Sequence, residues 1–581
     1  MSGSTGSGNG SVAGSMSGSA TARRIPVAQV GGGSRADVEA DIVVIGSGCA
    51  GFAAALTAAR LGAEVVVLEK GAYLGGTTRK SGAWSWIPNN RFLRAAGTPD
   101  ERDDALRYMS RLARPELYNA EAAGFGLPAE DFALLEAFFD HAAEAIEALE
   151  DQGAITLFHA DMIPDYYAQL PENKTPLGRV VMPMAENGEP GEGETMIDGF
   201  EANARELDVD LRLEHRATQV LLNDSGDVVG VTADTPAGPV TVRARQAVIF
   251  ASGGFGQNPD LRRAYLAGPI FASCTALTNT GDFVPMAAGL GAPLYNMSYP
   301  WLGPCPLERG LRNSPDNWLM FEPAGDSMFM VDRYGRRFVD EKIQYNEITQ
   351  TMWRWDPSRA EYPQLFPIMI WDQACQERWA GDKWGNPIAP PGEDDGHVVH
   401  GDTLDELAAA VRERLHELRD RTGGHTLDDG FEETLTATFD RFNDHSARGE
   451  DPDFGRGGAP ISVFFQSALG EPRPGNEDSP VIHPLAETGP YHATILAPGT
   501  LDTKGGPRTN ADAQVLDAAG RPIPGLYGAG NCVASVSGKA YFAGGATIGP
   551  AIAFGYLAAL SAVREPVREF GRTRLSRQAL V

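Results

Sequence analysis

The 581-residue chain has few cysteines, and they lie far apart. Cys49, Cys274, Cys305, Cys375 and Cys532 form no Cys-x-x-Cys, Cys-x-x-Cys-His or zinc-ligand spacing. This pattern argues against a haem domain, an iron–sulfur cluster and a disulfide framework. An odd number of dispersed thiols is typical of a reducing compartment, so the sequence predicts a cytoplasmic protein.

Long apolar runs and an excess of basic residues are also lacking. No window reaches ~18 unbroken apolar residues without Gly or Pro, so we expect no integral membrane segment. The 49 basic and 77 acidic side chains give a formal net charge of −28. That charge opposes binding to nucleic acid and to anionic lipid surfaces. It does not oppose a small molecule in an interior pocket.

The N-terminus is rich in Ser and Gly and offers almost nothing to bury, which predicts a disordered tail over residues 1–38. Arg23-Arg24 is not followed by an apolar stretch long enough for an export signal. The remaining length exceeds what one simple core requires, so two domains are expected. The sequence carries no signal for the oligomeric state.

A dinucleotide-binding pattern follows the tail. The stretch 39–45 predicts a buried strand, 50–61 predicts an alanine-rich helix, and 63–68 predicts a second strand that ends at Glu69. Such a strand–helix–strand unit is the context that a Gly-x-Gly-x-x-Gly motif requires. We expect the Glu69 carboxylate to accept hydrogen bonds from ribose hydroxyls.

The motif itself reads Gly46-Ser-Gly48-Cys-Ala-Gly51. Gly46 makes the tight turn, Gly48 lets the backbone approach a pyrophosphate, and Gly51 allows close helix–strand packing. The N–H groups at the helix start then face the phosphates. The small residues of the run 75–82 suit a loop beside a ribityl chain and an isoalloxazine ring, which favours FAD over NAD.

A second glycine-rich region near the C-terminus points to the same cofactor. The segment 523–531 reads as a strand that runs into a glycine turn. The stretch 546–562 predicts a helix that begins behind Gly544-Gly545. A helix N-terminus beside the N1 and O2 edge of a flavin would stabilise negative charge on the reduced ring.

Together these segments, with the strand end at 248–254, predict one FAD site. The expected cofactor-binding residues are Gly46, Gly48, Cys49, Ala50, Gly51, Glu69, Lys70, Gly76, Thr77, Thr78, Ser81, Gly82, Ala251, Gly253, Gly254, Asp282, Gly530, Asn531, Ala546 and Ile548.

The composition changes in the middle of the chain. From about residue 286 to 477, Trp, Met, Phe and Pro become frequent and glycine motifs fade. We interpret 286–477 as a substrate-capping domain inserted between two parts of an FAD-binding domain, 39–285 and 478–581. The predicted fold class is α/β, a Rossmann-like FAD-binding domain with an inserted α+β substrate-capping domain.

Tyr541, just before the paired glycines, points to carbonyl chemistry. Its phenol and the Gly545 backbone N–H can donate two hydrogen bonds to one ketone oxygen, which favours the enol and acidifies the adjacent C–H. A base must then take that proton. Tyr345, Tyr166 and Tyr167 are the candidates, and spacing alone does not choose between them.

From about residue 40 to 562 the chain resembles the 3-ketosteroid Δ1-dehydrogenases, within the fumarate reductase and succinate dehydrogenase flavoprotein superfamily. The most specific matches are the segments Gly489-Pro-Tyr-His-Ala-Thr, Pro498-Gly-Thr-Leu-Asp-Thr-Lys-Gly-Gly-Pro-Arg508 and Tyr541-Phe-Ala-Gly-Gly545-Ala-Thr-Ile-Gly-Pro. The fumarate-reducing branch carries His-Thr-Met-Gly-Gly and a proton-donating arginine instead. Leu501-Asp-Thr-Lys-Gly-Gly at this place is closer to the branch that uses tyrosines.

The resemblance implies a role for each tyrosine. Tyr541 and the Gly545 N–H match the pair that polarises the ketone. Tyr345 matches the general base, and Tyr166 matches the tyrosine that supports it, with Tyr167 as the fallback. The implied reaction takes a proton alpha to the ketone through Tyr345, and a hydride leaves the adjacent carbon for flavin N5. A tyrosine base requires a lowered pKa or a relay, since its unperturbed pKa is ~10.

The resemblance also implies the partners. The default substrate is a 3-oxosteroid, although a smaller cyclic ketone fits as well. No histidine-bearing segment matches the covalent branch, so noncovalent FAD is expected. No second nucleotide fingerprint is evident, which favours a diffusible, quinone-like electron acceptor over NAD(P). Phe542 departs from a proline common in the family, and its bulk is expected to reshape the pocket mouth, whereas Trp84, Trp86, Trp301 and Met330 are interpreted as core residues.

Two other functions stay open from the sequence. One is a fumarate reductase-like ene-reductase that reduces an enone or an enoate on the same fold. The other is a non-catalytic FAD protein or partner subunit, whose flavin no ketone would bleach. The full set of tyrosines favours an enzyme over the non-catalytic alternative.

Overall fold

The computed structural model describes residues 26–30, 35–312, 319–381, 383–390, 393 and 396–570. Within these ranges the chain forms two large mixed sheets with helices packed around them. This architecture confirms the α/β class.

The N-terminal region differs from the prediction of a disordered tail over 1–38, although most of that tail lies outside the described residues. Val27–Gln29 is a strand that pairs in parallel with Arg216–Leu222. The neighbouring Val30 is buried in a small apolar cluster with Val229 and Phe570. The assignment of 1–38 to a tail was therefore wrong for this segment, because its few apolar residues extend a sheet edge that the sequence alone does not reveal.

The first sheet contains the predicted strand–helix–strand unit. Val38–Ile45 pairs in parallel with Val65–Leu68 on one side and with Gly238–Phe250 on the other. The paired residues of Val38–Ile45 and Val65–Leu68 are mostly apolar and β-branched, as expected where helices or loops cover both faces of a parallel sheet. The strand order is Val27–Gln29, Arg216–Leu222, Val228–Thr235, Gly238–Phe250, Val38–Ile45, Val65–Leu68 and Asp210–Arg212, with Pro522–Gly528 beside the end of Gly238–Phe250 and Gln514–Leu516 beside Pro522–Gly528.

Two helices rich in small residues pack together over this sheet. Cys49–Arg60 follows the glycine turn, and Ile548–Ala562 lies against it, with Gly555 so close to the Ala50 carbonyl that a Cβ would overlap it. The second helix begins at Ile548, two residues after the predicted start. It is apolar and buried on almost every side, as a core helix is. Within the described residues, no helix is long and apolar enough to cross a membrane.

The second sheet is organised around one long strand, Tyr491–Thr503. Its membership does not follow the predicted domain limits of 286–477, because Tyr491–Thr503 and Ala272–Ser273 both belong to it. Composition marks where aromatic residues become frequent, whereas a strand belongs to the sheet with which it forms hydrogen bonds. The members are Ala272–Ser273, Pro300–Pro306, Met328–Val331, Ile368–Asp372, Val398–Gly401 and Tyr491–Thr503.

The other elements are short sheets and helices. Leu294–Tyr295 pairs with Gly506–Pro507, and Val180–Pro183 lies between Ser85–Trp86 and Leu157–His159. The remaining α-helices are Gly76–Arg79, Arg91–Ala95, Arg102–Ala113, Ala129–Asp151, Gly193–Glu206, Pro259–Tyr265, Phe283–Gly289, Leu307–Arg312, Tyr345–Thr351, Gln373–Trp379, Leu404–Glu417, Phe431–Ser446 and Pro460–Leu469. Short 3₁₀ turns occur at Ala123–Gly126, Lys383–Gly385 and Gly530–Cys532.

The two sheets meet where Tyr491–Thr503 ends. The Asp502 carboxylate accepts a hydrogen bond from the Gly254 N–H, and the Thr503 hydroxyl accepts one from the Phe255 N–H. These bonds fix the end of the second sheet against the loop that leaves Gly238–Phe250. A crevice between the carboxyl ends of the first sheet and the elements of the second follows from this arrangement.

Candidate active site

A cavity of about 730 Å³ occupies this crevice. At one end it reaches the strand ends Ile45, Leu68 and Phe250. At the other end it reaches Tyr345 and Phe464. Open α/β sheets bind their ligands at this position, outside the carboxyl ends of the strands.

Gly46 shapes the first end of the cavity. Its φ is +102°, and a Cβ at this position would lie 2.5 Å from the Ala251 carbonyl oxygen, so no other residue fits without displacing the chain. Gly48 then precedes the helix Cys49–Arg60 and has no capping side chain of its own, while the Cys49 N–H donates to the Thr78 hydroxyl at 3.2 Å. The other backbone N–H groups of a helix N-terminus suit a pyrophosphate.

Glu69 is held at the same end by local hydrogen bonds. Its carboxylate accepts from the Gly71 N–H at 2.6 Å and from the Ser47 hydroxyl at 2.6 Å. The side chain is buried and lines the cavity. Lys70 and Asp282 form an ion pair of 3.0 Å at the cavity edge. An acid held next to a glycine turn is the arrangement that receives a ribose.

Most of the residues predicted to bind the cofactor line the cavity, and three do not. Gly51 packs against the turn, because a Cβ there would overlap the Gly46 carbonyl. Gly254 lies against Asp502 and Thr503, to the side of the cavity. Ala546 is fully buried behind Gly545. These three residues therefore shape the site without facing it.

The residues that do line it are Gly46, Gly48, Cys49, Ala50, Glu69, Lys70, Gly76, Thr77, Thr78, Ser81, Gly82, Ala251, Gly253, Asp282, Gly530, Asn531 and Ile548. The glycine turn, the helix N-terminus and one cavity that reaches from that turn to the tyrosines fit FAD, which needs a phosphate site and a ring site in one groove.

Three tyrosines from distant segments converge at the other end. The hydroxyl oxygens of Tyr166 and Tyr345 lie 2.6 Å apart. The ring centroids are 5.6 Å apart for Tyr166 and Tyr345, 5.2 Å for Tyr166 and Tyr541, and 5.7 Å for Tyr345 and Tyr541. All three side chains are buried in protein and line the cavity.

The neighbouring Tyr167 does not line the cavity. Its phenol lies near Gln344 and Glu347 instead. The two residues lie in a turn closed by the Ala168 N–H, which donates to the Asp165 carbonyl at 3.1 Å, and only Tyr166 faces the site. The structure places Tyr166, and not the fallback Tyr167, beside Tyr345.

The Tyr166 segment is fixed by a buried ionic network. Asp165 pairs with Arg179, which also pairs with Asp100, and none of the three has appreciable exposure. The Trp86 indole N–H donates to Asp165 at 2.8 Å. The Tyr166 N–H donates to the Phe542 carbonyl at 3.2 Å. Because the charges are paired and hydrogen-bonded, the network holds the phenol in one position.

Gly545 is the second residue predicted to contact the ketone. Its φ is +88°, and a Cβ would lie 2.5 Å from the Trp84 carbonyl oxygen, which makes glycine obligatory. Its carbonyl accepts from the Trp86 N–H at 3.1 Å. Its own N–H has no acceptor among the residues that the structure describes. That donor is therefore available to a ligand beside Tyr541.

Burial dominates the acidity of the three phenols. It raises the pKa of Tyr541 to about 12, while hydrogen bonds with Tyr345 and Thr547 act in the opposite direction. Burial likewise raises the pKa of Tyr345 and of Tyr166 well above the ordinary value. In the protein alone the pKa of Tyr345 is not lowered, so of the two requirements stated for a tyrosine base the geometry offers the relay, through the Tyr166 hydroxyl at 2.6 Å.

Some bulky residues lie elsewhere than predicted. Phe542 is fully buried against Trp86, with ring centroids 5.4 Å apart, and it does not line the cavity. The expectation that it reshapes the pocket mouth was therefore wrong, since its side chain points into the core. Trp84 and Trp301 line the cavity, although we interpreted both as core residues. Met330 is buried in a core cluster, as expected.

Other parts of the wall had no role assigned from the sequence. Asp502 accepts hydrogen bonds from the amides of Asn279 at 2.8 Å and Asn531 at 2.9 Å, and it lines the cavity. The sequence could have indicated Asp502, because it lies inside the family-matching segment 498–508. The apolar wall near the tyrosines consists of Phe158, Ala160, Met162, Ile163, Met182, Phe321, Phe464, Phe465, Ala468 and Leu501.

Substitution of Gly46 by Ala is expected to abolish retention of FAD. The methyl group would collide with the Ala251 carbonyl and displace the phosphate-facing turn. Gly62→Ala is the matched control, because Gly62 also has positive φ, +90°, but a methyl group there would meet no atom within 4 Å. Flavin absorbance of the purified proteins measures the difference. Equal flavin content in both variants would contradict the assignment of the glycine turn.

Comparison with known proteins agrees with this geometry. A family model described as an FAD binding domain matches residues 41–548. The chain is 31% identical to a 3-oxosteroid 1-dehydrogenase of Mycolicibacterium smegmatis, over 90% of this chain and 97% of that protein. It is 29% identical to a 4-oxocyclohexanecarboxylate 2-dehydrogenase of Sinomonas cyclohexanicum, over 89% of this chain and 92% of that protein.

The fold is similar to that of a solved enzyme. The crystal structure of 3-ketosteroid delta1-dehydrogenase from Sterolibacterium denitrificans, in complex with 1,4-androstadiene-3,17-dione, superimposes with a TM-score of 0.76 at 25% identity. The alignment covers 90% of this chain and 99% of that one. The chain therefore belongs to the 3-ketosteroid Δ1-dehydrogenase family of FAD-dependent oxidoreductases.

Proposed function

We propose that this protein introduces a C=C bond alpha,beta to the carbonyl of a cyclic ketone, with a 3-oxosteroid as the default substrate. The observation that carries the proposal is the convergence of Tyr166, Tyr345 and Tyr541 around one end of the cofactor-sized cavity, beside the Gly545 N–H. Similar proteins are named for a 3-oxosteroid and for 4-oxocyclohexanecarboxylate. The candidate substrates of this protein therefore range from ketones with one ring to steroids with four.

In the proposed mechanism, the Tyr541 hydroxyl and the Gly545 N–H donate to the ketone oxygen. Two donors on one oxygen stabilise the charge that develops as the alpha carbon loses its proton. The Tyr345 oxygen accepts that proton, and Tyr166, 2.6 Å away, holds the acceptor and shares the proton. Bound FAD supplies the hydride acceptor for the beta carbon.

The surface around the tyrosines suits an uncharged hydrocarbon ring. Phenylalanine and other apolar side chains form most of the wall, which excludes water and strengthens the two hydrogen bonds to the ketone. Among the described residues, no arginine lines the cavity. The fumarate reductase-like ene-reductase would need such a group for an enoate, so this observation supports the dehydrogenase over enoate reduction, and the experiment below separates it from reduction of an enone.

The proposal extends to partners and organisation. The helices and strands between the two parts of the FAD-binding region, including Pro460–Leu469, would form the substrate cap. FAD would be bound without a covalent bond, and a diffusible, quinone-like molecule would take the electrons. The five thiols are unpaired, which supports a cytoplasmic location.

Anaerobic bleaching of the flavin tests the proposed function. The FAD-loaded protein is mixed with a panel of ketones from cyclohexanone through 4-oxocyclohexanecarboxylate to 4-androstene-3,17-dione, and absorbance near the flavin maximum is followed. We expect rapid bleaching by at least one cyclic ketone and none by acyclic controls. Bleaching by none of them, with oxidation of the reduced protein by an enone or fumarate, would support the ene-reductase instead.

A further inference from the structure

Lys504 is a buried ammonium group directly behind Tyr541. Its side chain has no exposed surface. Nζ donates to the carbonyl oxygens of Ala540 at 2.7 Å and Lys539 at 3.2 Å, the two residues that immediately precede Tyr541. Within the described part of the chain it forms no ion pair with a carboxylate. A buried charge of this kind costs stability unless its surroundings compensate.

The indole of Trp301 provides part of that compensation. Lys504 Nζ lies 3.9 Å from the centroid of the Trp301 ring, within the range of a strong cation–π contact. The same indole packs against the Tyr541 ring at 4.6 Å between centroids. Its N–H donates to Asn531 at 3.0 Å, and the Asn531 amide donates to Asp502 at 2.9 Å. Lys504 therefore contacts both the backbone and the aromatic neighbour of Tyr541.

Charged side chains near Lys504 shift its pKa, and one of them belongs to the helix that carries Tyr345. Burial lowers the pKa of Lys504 well below its ordinary value, while the carboxylate of Glu347 opposes that shift and Arg114 adds to it. Glu347 lies on the helix Tyr345–Thr351. Besides its hydrogen bonds to the segment before Tyr541, the lysine is therefore subject to a charge on the helix that begins with Tyr345.

We propose that Lys504 is a positioning residue for the ketone-polarising donor Tyr541, a role that rests on the proposed function. Its ammonium group fixes the two carbonyls before Tyr541 and holds Trp301 against the Tyr541 ring. In its protonated form the group also favours the negative charge that develops on the ketone oxygen. Lys504 acts through Tyr541 and does not touch the reacting atoms.

Lys504→Met, Lys504→Arg and Trp301→Phe test the proposal, each alone, with Lys504→Met also combined with Tyr541→Phe. Methionine keeps the length of the side chain without the charge, and arginine keeps the charge. Turnover of 4-androstene-3,17-dione and 4-oxocyclohexanecarboxylate is measured with an artificial acceptor dye, separating kcat from KM. Flavin content is recorded, and binding of 1,4-androstadiene-3,17-dione is followed through the flavin spectrum without turnover.

We expect Lys504→Met to lower kcat about 10-fold and to weaken dienone binding about 5-fold, with flavin content unchanged. Lys504→Arg should recover most of kcat, and Trp301→Phe should lower it by about 3-fold because the cation–π contact weakens. In the Tyr541→Phe background, Lys504→Met should add less than about 2-fold, because residues that act through one group are not additive.

Two results would overturn this role. The first is a Lys504→Met variant whose kcat stays within about 2-fold of the original protein. The second is an equal loss with and without Tyr541, which would make the two residues independent. If Lys504→Met does not fold, Trp301→Phe with unchanged kcat and dienone binding overturns it. An original protein that turns over neither ketone contradicts the proposed function itself, which is a different outcome.

Discussion

Tyr345→Phe is expected to lower kcat by about 10³-fold while the protein stays folded and yellow. The substitution removes the oxygen proposed to accept the alpha proton. The ring remains, and it keeps its contacts with Phe321 at 5.0 Å and Phe465 at 6.5 Å between centroids, so the cavity wall is preserved. Single-turnover bleaching of the flavin by the best ketone of the panel measures the loss, and flavin absorbance confirms loading.

Tyr167→Phe is the matched control for this experiment. It removes a phenol hydroxyl from the same region, but one that lies near Gln344 and Glu347 and does not line the cavity. Its kcat should stay within about 3-fold of the original protein, because the hydroxyl lies outside the cavity and its loss affects stability rather than the reaction. If Tyr345→Phe lost no more activity than this control, Tyr345 would not be the base.

The same phenol determines the expected pH dependence. Only the deprotonated form can accept the alpha proton, and burial raises the pKa of Tyr345 well above its ordinary value. The active fraction is therefore small at neutral pH and grows as pH rises toward that pKa. We expect kcat/KM to rise from about pH 6 to about pH 9 without a plateau, and the residual rate of Tyr345→Phe to lack this rise. A plateau near neutral pH would show that the bound cofactor reverses the shift.

The fold of the cofactor end was predictable because its signals are local. The strand Val38–Ile45, the turn at Gly46 and the helix Cys49–Arg60 agree with the prediction within one residue at each end. An apolar β-branched run, a glycine spacing and an alanine-rich run each specify their own conformation. The limits of the second region were not predictable, since Tyr491–Thr503 enters its sheet through hydrogen bonds to strands that are distant in sequence.

The candidate site was predictable where a motif contained it. Tyr541 and Gly545 were found because they flank a glycine turn, and their proposed roles stay predictions. The choice of Tyr166 over Tyr167 depends on which of two consecutive side chains faces the cavity, which the pattern does not determine. The error at Phe542 has the same cause, because its direction is set by packing against Trp86.

Acidity and long-range contacts were the least accessible properties. The raised pKa of Tyr345 results from the burial of its hydroxyl by several distant segments, and residue type alone gives no measure of that burial. In the sequence, Lys504 was only one residue of the family-matching segment 498–508, with no role of its own. Its contacts with Trp301 and Ala540 require the folded chain.

Tyr541→Phe is expected to lower kcat by about 10²- to 10³-fold, the usual effect of removing one donor from a developing oxyanion. The Gly545 N–H would remain, so activity should be weak and measurable. The ring keeps its contacts with Trp301 and Tyr166, which preserves the FAD end of the site. KM should change far less than kcat, because the hydrogen bond strengthens as charge builds on the ketone oxygen.

Tyr527→Phe is the control that separates this effect from the general loss of a buried phenol. The Tyr527 hydroxyl donates to Glu565 at 2.7 Å, and the residue does not line the cavity. We expect its kcat to match the original protein, since any cost falls on stability and appears in the melting temperature. Equal kcat in both variants would leave the ketone without its proposed phenol donor. The proposal of two donors would then be replaced by one in which the Gly545 backbone N–H, the remaining donor beside the tyrosines, polarises the ketone without the phenol.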